Sequence, residues 1–254
     1  DAATVKNSGY SRELAMISWF GRVNYDYAGK YLFEANIRAD ASSRFAKGHR
    51  WGYFPSFSAA WRISEEAFME EAVGWLTDLK IRGSYGNLGN QSALSDFYPW
   101  MNSYDLDAHY SLNGSLQTGY HQKNYKIATI SWEKARTWGV GIDATLFGKL
   151  TVGLDYYDRK TTGIIMDVPV PAEFGLGAYK DNVGAMVNRG VELTLNYNES
   201  WDDWSFGVSA NLAYNKNKVL YLDGVQSLAD GDLKVKQVGA AYGTYRLYLS
   251  LIHI

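Results

Sequence analysis

Residues 19–63, WFGRVNYDYAGKYLFEANIRADASSRFAKGHRWGYFPSFSAAWRI, decide the fold. Three runs in this stretch alternate in polarity. In the first, Trp19, Gly21, Val23, Tyr25 and Tyr27 share one face, and Phe20, Arg22, Asn24 and Asp26 share the other. In the second, Tyr31, Phe33, Ala35, Ile37 and Ala39 oppose Glu34, Asn36, Arg38 and Asp40. In the third, Phe57, Ala59, Trp61 and Ile63 oppose Ser56, Ser58, Ala60 and Arg62. Side chains that alternate with a period of two belong to β-strands.

The runs approach the ~9–11 residues that a tilted strand needs to cross a bilayer, against about 5–6 for an average strand. Their polar faces carry Arg22, Glu34, Arg38 and Arg62, which suits a wet or plugged interior. The pattern points to the wall of a transmembrane β-barrel, apolar outside and polar inside. An antiparallel sheet of a soluble domain stays open on alternation alone.

Composition narrows the function classes. The 254 residues carry a net charge of −2, so there is no cationic footprint for nucleic acid. With no Cys, disulfide frameworks and thiol chemistry are excluded. Aromatics make up 15% of the chain, and Tyr (20) and Trp (9) together outnumber Phe (10). Tyr and Trp are the rings that settle at membrane–water interfaces. No apolar run reaches the ~18 residues of a membrane helix. The opening residues, DAATVKNSGY, lack the features of a signal peptide, so under the barrel reading the chain is expected to be a fragment.

Beyond Ile63 the spacing predicts a short helical turn with Ser64 as its N-cap. A fourth strand follows over residues 79–86, with Lys80 and Arg82 on its polar face. Residues 87–131 read as a long loop rich in Gly, Asn, Ser and Tyr. Strands five and six are expected over 137–146 and 150–157, carrying inward Asp143 and Asp155. A second long loop is expected from Met166 to Asn188. Strands seven (191–197, with inward Glu192) and eight (205–215) complete the set. Short connections therefore alternate with long ones, as in barrels with short periplasmic turns and long extracellular loops. Tyr25, Tyr27, Tyr31, Trp61, Trp75, Phe147, Tyr197, Trp201 and Trp204 gather at the short-turn end as a girdle. This combination favours the barrel over the soluble sheet. Eight strands whose inner face is charged fit a segment of a larger barrel better than a small, tightly filled one.

No catalytic constellation stands out. His49, His109, His121 and His253 have no metal-ligand spacing, and Asp105, Asp107, Asp230 and Asp232 lack an EF-hand pattern. No cofactor, metal or enzymatic activity is expected. Two groups of residues are candidates for binding. Arg22, Glu34, Arg38, Arg62, Lys80, Arg82, Asp143, Asp155 and Glu192 would line the lumen or touch a plug. Tyr98, Trp100, Tyr104, Tyr110 and Tyr120 could stack on a sugar or peptide, or meet a lid.

Ordered blocks carry a family resemblance. Residues 27–69, YAGKYLFEANIRADASSRFAKGHRWGYFPSFSAAWRISEEAFM, resemble a characteristic stretch of the SusC/RagA-type TonB-dependent transporters of Bacteroidota. LTDLKIRGSYGNLGNQ (76–91), WEKARTWGVGIDATLFGKLTVGLDYYDRKTTGIIM (132–166), NVGAMVNRGVELTLNYN (182–198) and WSFGVSANLAYNKNKV (204–219) continue it in order. Ala41 and Ala46 stand where the family often has Gly. The resemblance implies a 22-stranded outer-membrane barrel. Its plug, which contacts TonB, is expected to be absent from this chain, with residues 1–246 a partial barrel and 247–254 a non-family tail. It also implies proton-motive import of glycans or peptides, a SusD-type surface lipoprotein as partner, and a lipid surround. A non-energised barrel and a soluble carbohydrate-binding β protein are the alternatives.

Overall fold

The computed structural model describes residues 9–72, 74–122, 125–231 and 233–246. In chain order its strands are β1 (Met16–Tyr27), β2 (Tyr31–Ser42), β3 (Trp51–Arg62), β4 (Leu76–Asn90), β5 (Tyr104–Leu112), β6 (Ser115–Gln122), β7 (Glu133–Leu146), β8 (Leu150–Val168), β9 (Tyr179–Trp201), β10 (Trp204–Leu222), β11 (Ser227–Asp230), β12 (Lys234–Gln237) and β13 (Thr244–Tyr245). Eight of them form one sheet, in the order β1-β2-β3-β4-β7-β8-β9-β10, and every pairing is antiparallel. β5 and β6 make a separate hairpin, and β11–β13 a small three-stranded sheet. β1 and β10 end the large sheet, which does not close on itself.

The short turns follow from local sequence. Ala28-Gly29 and Phe147-Gly148 both have positive φ, the requirement of the two-residue hairpin turn whose twist matches its strands. Lys30 N donates to Tyr27 O at 3.0 Å, and Lys149 N to Leu146 O at 3.0 Å. The expected N-cap at Ser64 is not made. The chain forms 3-10 turns at Ile63–Glu65 and Ala67–Ala72, the first with Arg62 in the capping position and no side-chain cap. The Ser64 hydroxyl instead donates to Asp78 Oδ1 at 3.0 Å.

Register assigns the faces. Asn24, Glu34, Ser58, Ser84, Gly139, Tyr157, Gly190 and Asn215 are successive cross-strand partners, so they lie on one face. Tyr25, Phe33, Ala59, Gly83, Val140, Tyr156, Val191 and Tyr214 form the neighbouring row on the other face. The apolar face is left bare: Val140, Ile142, Leu154, Val191, Val208 and Leu212 are all exposed. An apolar face this broad is uncovered only where lipid or another surface takes the place of a second protein layer.

The strands outrun the expected spans. β9 has 23 residues, where the alternation marks only 191–197. β8 reaches Val168 and β9 starts at Tyr179, so most of the expected 166–188 loop is strand. Likewise, the expected 87–131 loop contains the β5–β6 hairpin, turned at Asn113-Gly114. Alternation fails there for two reasons. Register shifts at Thr162/Ile164 and Ile164/Ile165 bulge β8 and break the period of two. Toward the long loops, moreover, the strand ends are packed by loop residues and no longer present one bare apolar face.

That packing forms two apolar clusters at the long-loop end. Phe45, Phe54, Leu94, Ile130, Trp132 and Ile165 make the first. Met166, Val183, Val219 and Leu222 make the second, with Leu228 and Val238 packed against it.

Candidate functional site

The polar face carries all nine charges singled out from the sequence, and the structure links most of them. Asp143 is central: Arg82 Nε donates to it at 3.0 Å, and Lys80 Nζ lies 3.0 Å away. Arg82 also reaches Asp155, Nη2 to Oδ2, at 2.6 Å. Gly141 makes room for this bridge, since a Cβ there would lie 2.4 Å from Asp155 Oδ1 and 2.9 Å from Arg82 Cζ. Arg22 donates to Asn36 at 2.7 Å, and Asn36 donates to Glu34 at 2.6 Å. Arg38 binds Asp40 through both carboxylate oxygens, at 2.7 and 2.8 Å. Arg62 bridges Glu65 at 2.9 Å and Asp78 at 3.4 Å. Glu192 stands directly across from Asp155 and is exposed. A recess of about 830 Å³ opens between Glu34, Arg82, Asp155 and Glu192, and a second of about 890 Å³ between Arg22, Arg38 and Ser84. Both recesses are lined by charged and small polar side chains of this face.

Aromatic rings rim the apolar face at the short-turn end. Tyr31 stacks on Trp61 with centroids 6.3 Å apart, and Tyr27 lies 6.4 Å from Tyr31. Their polar tips converge on Glu66, which accepts from the Tyr31 hydroxyl at 2.7 Å and the Trp61 indole at 3.1 Å. The Tyr31 hydrogen bond, then that of Trp61, holds the Glu66 carboxyl below its usual range, and Lys30 adds to this. A second aromatic row lies at the other end of the apolar face: Trp19, Tyr53, Tyr85, Trp138, Tyr156 and Tyr214, all exposed. None of these rings flanks a short turn, so the girdle expected from the sequence does not include them.

Outward charges bracket a band of membrane thickness. On β9, Arg189 and Glu199 are the outward charges on either side of Val191, Leu193, Leu195 and Tyr197. Ten residues at ~3.4 Å, tilted ~40–45°, give a height of about 25 Å, the apolar band of an outer-membrane barrel.

The aromatic loop residues divide into two groups. Tyr98, Tyr104, Tyr110 and Tyr120 are exposed, and Tyr104 and Tyr120 meet edge-on at 6.1 Å on the β5–β6 hairpin. Trp100 is half-buried against the Phe45–Trp132 cluster. The segment is tied down by Lys126, whose ammonium pairs with Asp96 and whose amide donates to Asn102 at 3.1 Å. The Lys126 hydrogen bond holds the Asp96 carboxyl below its usual range, against some desolvation.

Two polar residues that sequence reasoning missed, buried Glu133 and half-buried Asn182, organise the strand ends. Glu133 accepts from Ile165 N at 2.8 Å and from Asn90 at 2.6 Å. Asn182 donates to Ser131 O at 2.9 Å and to Gly163 O at 2.7 Å, clamping the bulge at Gly163, where φ is +63°. Both lie within the family-like blocks 132–166 and 182–198, but only the fold brings their partners within reach. Among the described residues no group of three or more His, Asp or Glu could hold a metal ion. Asp230 pairs with Lys236 at 3.0 Å, while Asp232 and His253 lie outside the described residues.

Comparison with known proteins agrees with this geometry. The family described as TonB dependent receptor-like, beta-barrel matches residues 2–249. The TonB-dependent receptor SusC of Bacteroides thetaiotaomicron is 34% identical over 229 residues, covering 88% of this chain and 23% of the relative. A TonB-dependent receptor of Formosa agariphila is 37% identical over 212 residues, covering 82% and 21%. Among solved structures, the RagAB peptide importer in its closed-closed state superposes with a TM-score of 0.81 at 27% identity, covering 91% of this chain and 25% of that one. The chain thus spans about a quarter of the length of the proteins it matches. An eight-stranded open sheet with a polar inner face, an apolar outer band and this family match has one assignment: the chain is a wall segment of an outer-membrane barrel and belongs to the TonB-dependent receptor β-barrel family.

Proposed function

We propose that the intact protein containing this segment imports oligosaccharides or peptides across the outer membrane of a Gram-negative bacterium of the Bacteroidota, energised through TonB, and is not an enzyme. The observation that carries the proposal is the charged inner face, which forms one connected surface from Arg22 to Glu192 on a wall whose outside is apolar. Such a wall suits a polar solute that passes through a wet or plugged interior. The relatives are described as TonB-dependent receptors, and one solved neighbour as a peptide importer. A SusD-like surface lipoprotein would cap the long-loop end, where the exposed tyrosines Tyr98, Tyr104, Tyr110 and Tyr120 would meet ligand or lid. The plug, which is outside this chain, would contact TonB.

The test is uptake of labelled oligosaccharide and oligopeptide pools by cells with and without the intact gene, each with and without a protonophore. Loss of uptake on deletion, and its collapse with the protonophore, is the expected result. Uptake that survives the protonophore would point to a non-energised barrel and refute TonB coupling.

A further inference from the structure

Above the upper aromatic row, the lipid-facing side of the sheet turns cationic. On β7 the outward ring of Trp138 is followed toward the long-loop end by Arg136 and Lys134 on the same face. On β8 Tyr156 is followed by Asp158 and then Lys160, and on β10 Tyr214 by Lys216 and Lys218. Each step of two residues rises ~7 Å along the strand, or roughly 5 Å along the membrane normal at barrel tilt. These cations therefore sit at headgroup height, immediately outside the apolar band.

The charges are not balanced among the described residues. Arg136 is the direct cross-strand partner of Lys160, a like-charge pairing that destabilises a sheet unless something neutralises it. Asp158, the one carboxylate in these rows, is already held by Arg189 at 2.6 Å. At the opposite rim the pattern is reversed, since Lys30 pairs with Glu66 at 3.3 Å and Lys149 with Glu199 at 2.6 Å. Between the cations and the upper rings lies a recess of about 330 Å³, lined by Tyr53, Tyr85, Asn87, Lys134, Arg136 and Lys160. It combines apolar ring faces below with donors above, which is the chemistry that holds an amphiphilic anion.

We infer that Lys134, Arg136 and Lys160, with Lys216 and Lys218 beside them, form a binding site for a phosphate-bearing glycolipid of the outer leaflet. Its phosphate lies between Arg136 and Lys160, and its acyl chains run down over Tyr85, Trp138 and Tyr156. The inference rests on the outer-membrane assignment. A free anion would use the same donors but gain nothing from the rings, so the site is assigned to the lipid.

The test uses the intact protein that contains this segment, reconstituted in nanodiscs of neutral phospholipid. The added probe is lipid A, its dephosphorylated form, or inorganic phosphate, and bound lipid is read by native mass spectrometry. Neutralising Lys134, Arg136 and Lys160 together to Gln should weaken lipid A binding by roughly fivefold per cation, about 100-fold in all. The charge-preserving pair Arg136→Lys and Lys160→Arg should bind within a fewfold of the unaltered protein. Lys149→Gln, at the opposite rim, should have no effect. Equal binding of dephosphorylated lipid, competition by millimolar phosphate as strong as by lipid A, or unchanged binding in the triple variant would each overturn the inference. Heat-modifiable migration shows that each variant is folded. A protein absent from the outer-membrane fraction would sink the barrel assignment itself, whereas a folded, membrane-inserted protein indifferent to lipid A sinks only the lipid site.

Discussion

Leu193 and Thr194 are neighbours at the centre of β9, and the register places them on opposite sides of the wall. Leu193 pairs with Leu154 and Leu212 on the apolar face, while Thr194 pairs with Gly153 and Asn211 on the polar face. Both lie midway between Arg189 and Glu199, near the middle of the ~25 Å band. An arginine at the lipid-facing midplane of a barrel costs about 2–4 kcal/mol. Leu193→Arg should therefore lower the folding equilibrium constant roughly 30- to 700-fold. Thr194 is exposed on the wet side, so Thr194→Arg should stay within about 0.5 kcal/mol of the parent. Urea titration of the intact protein in lipid vesicles, with heat-modifiable migration to score the folded form, measures both. Equal costs, or a larger cost for Thr194→Arg, would refute the assignment of faces on which the barrel reading depends.

Other consequences are smaller in scale. Gly141→Ala forces a Cβ into the Arg82–Asp155 bridge and should cost about 1–2 kcal/mol. If that crowding is the cause, the cost shrinks in an Asp155→Ala background, which a double-mutant cycle in the same vesicles would show. Phe45→Ala empties a fully buried site in the long-loop cluster and should cost about 3–5 kcal/mol. Protease cleavage between residues 91 and 131 on intact cells should rise, without loss of the barrel from the membrane. The Asp96–Lys126 pair gives a pH signature. Its carboxyl titrates below the ordinary 3.8, so the stabilisation is complete above that value and is lost only as pH falls through the lower folded-state pKa. Proteolysis of the 91–131 segment should accelerate below about pH 4, and Asp96→Asn should remove the acid step while raising cleavage at neutral pH.

The sequence by itself determined the wall. Within the apolar band, lipid on one side and water on the other impose a period of two, so Trp138, Val140 and Ile142 against Thr137, Gly139 and Gly141 can be read without coordinates. The same alternation put Arg82, Asp143 and Asp155 on a common face. It could not say that they form one bridge, because that depends on which strands are neighbours and on the space left at Gly141. Only the tertiary structure decided what lies beyond the band. There the strands run on through bulges clamped by Glu133 and Asn182, and Phe45, Leu94 and Trp132 pack from distant segments into one cluster. Once lipid no longer covers one side, burial is set by contacts between residues far apart in the chain, and no local period records it.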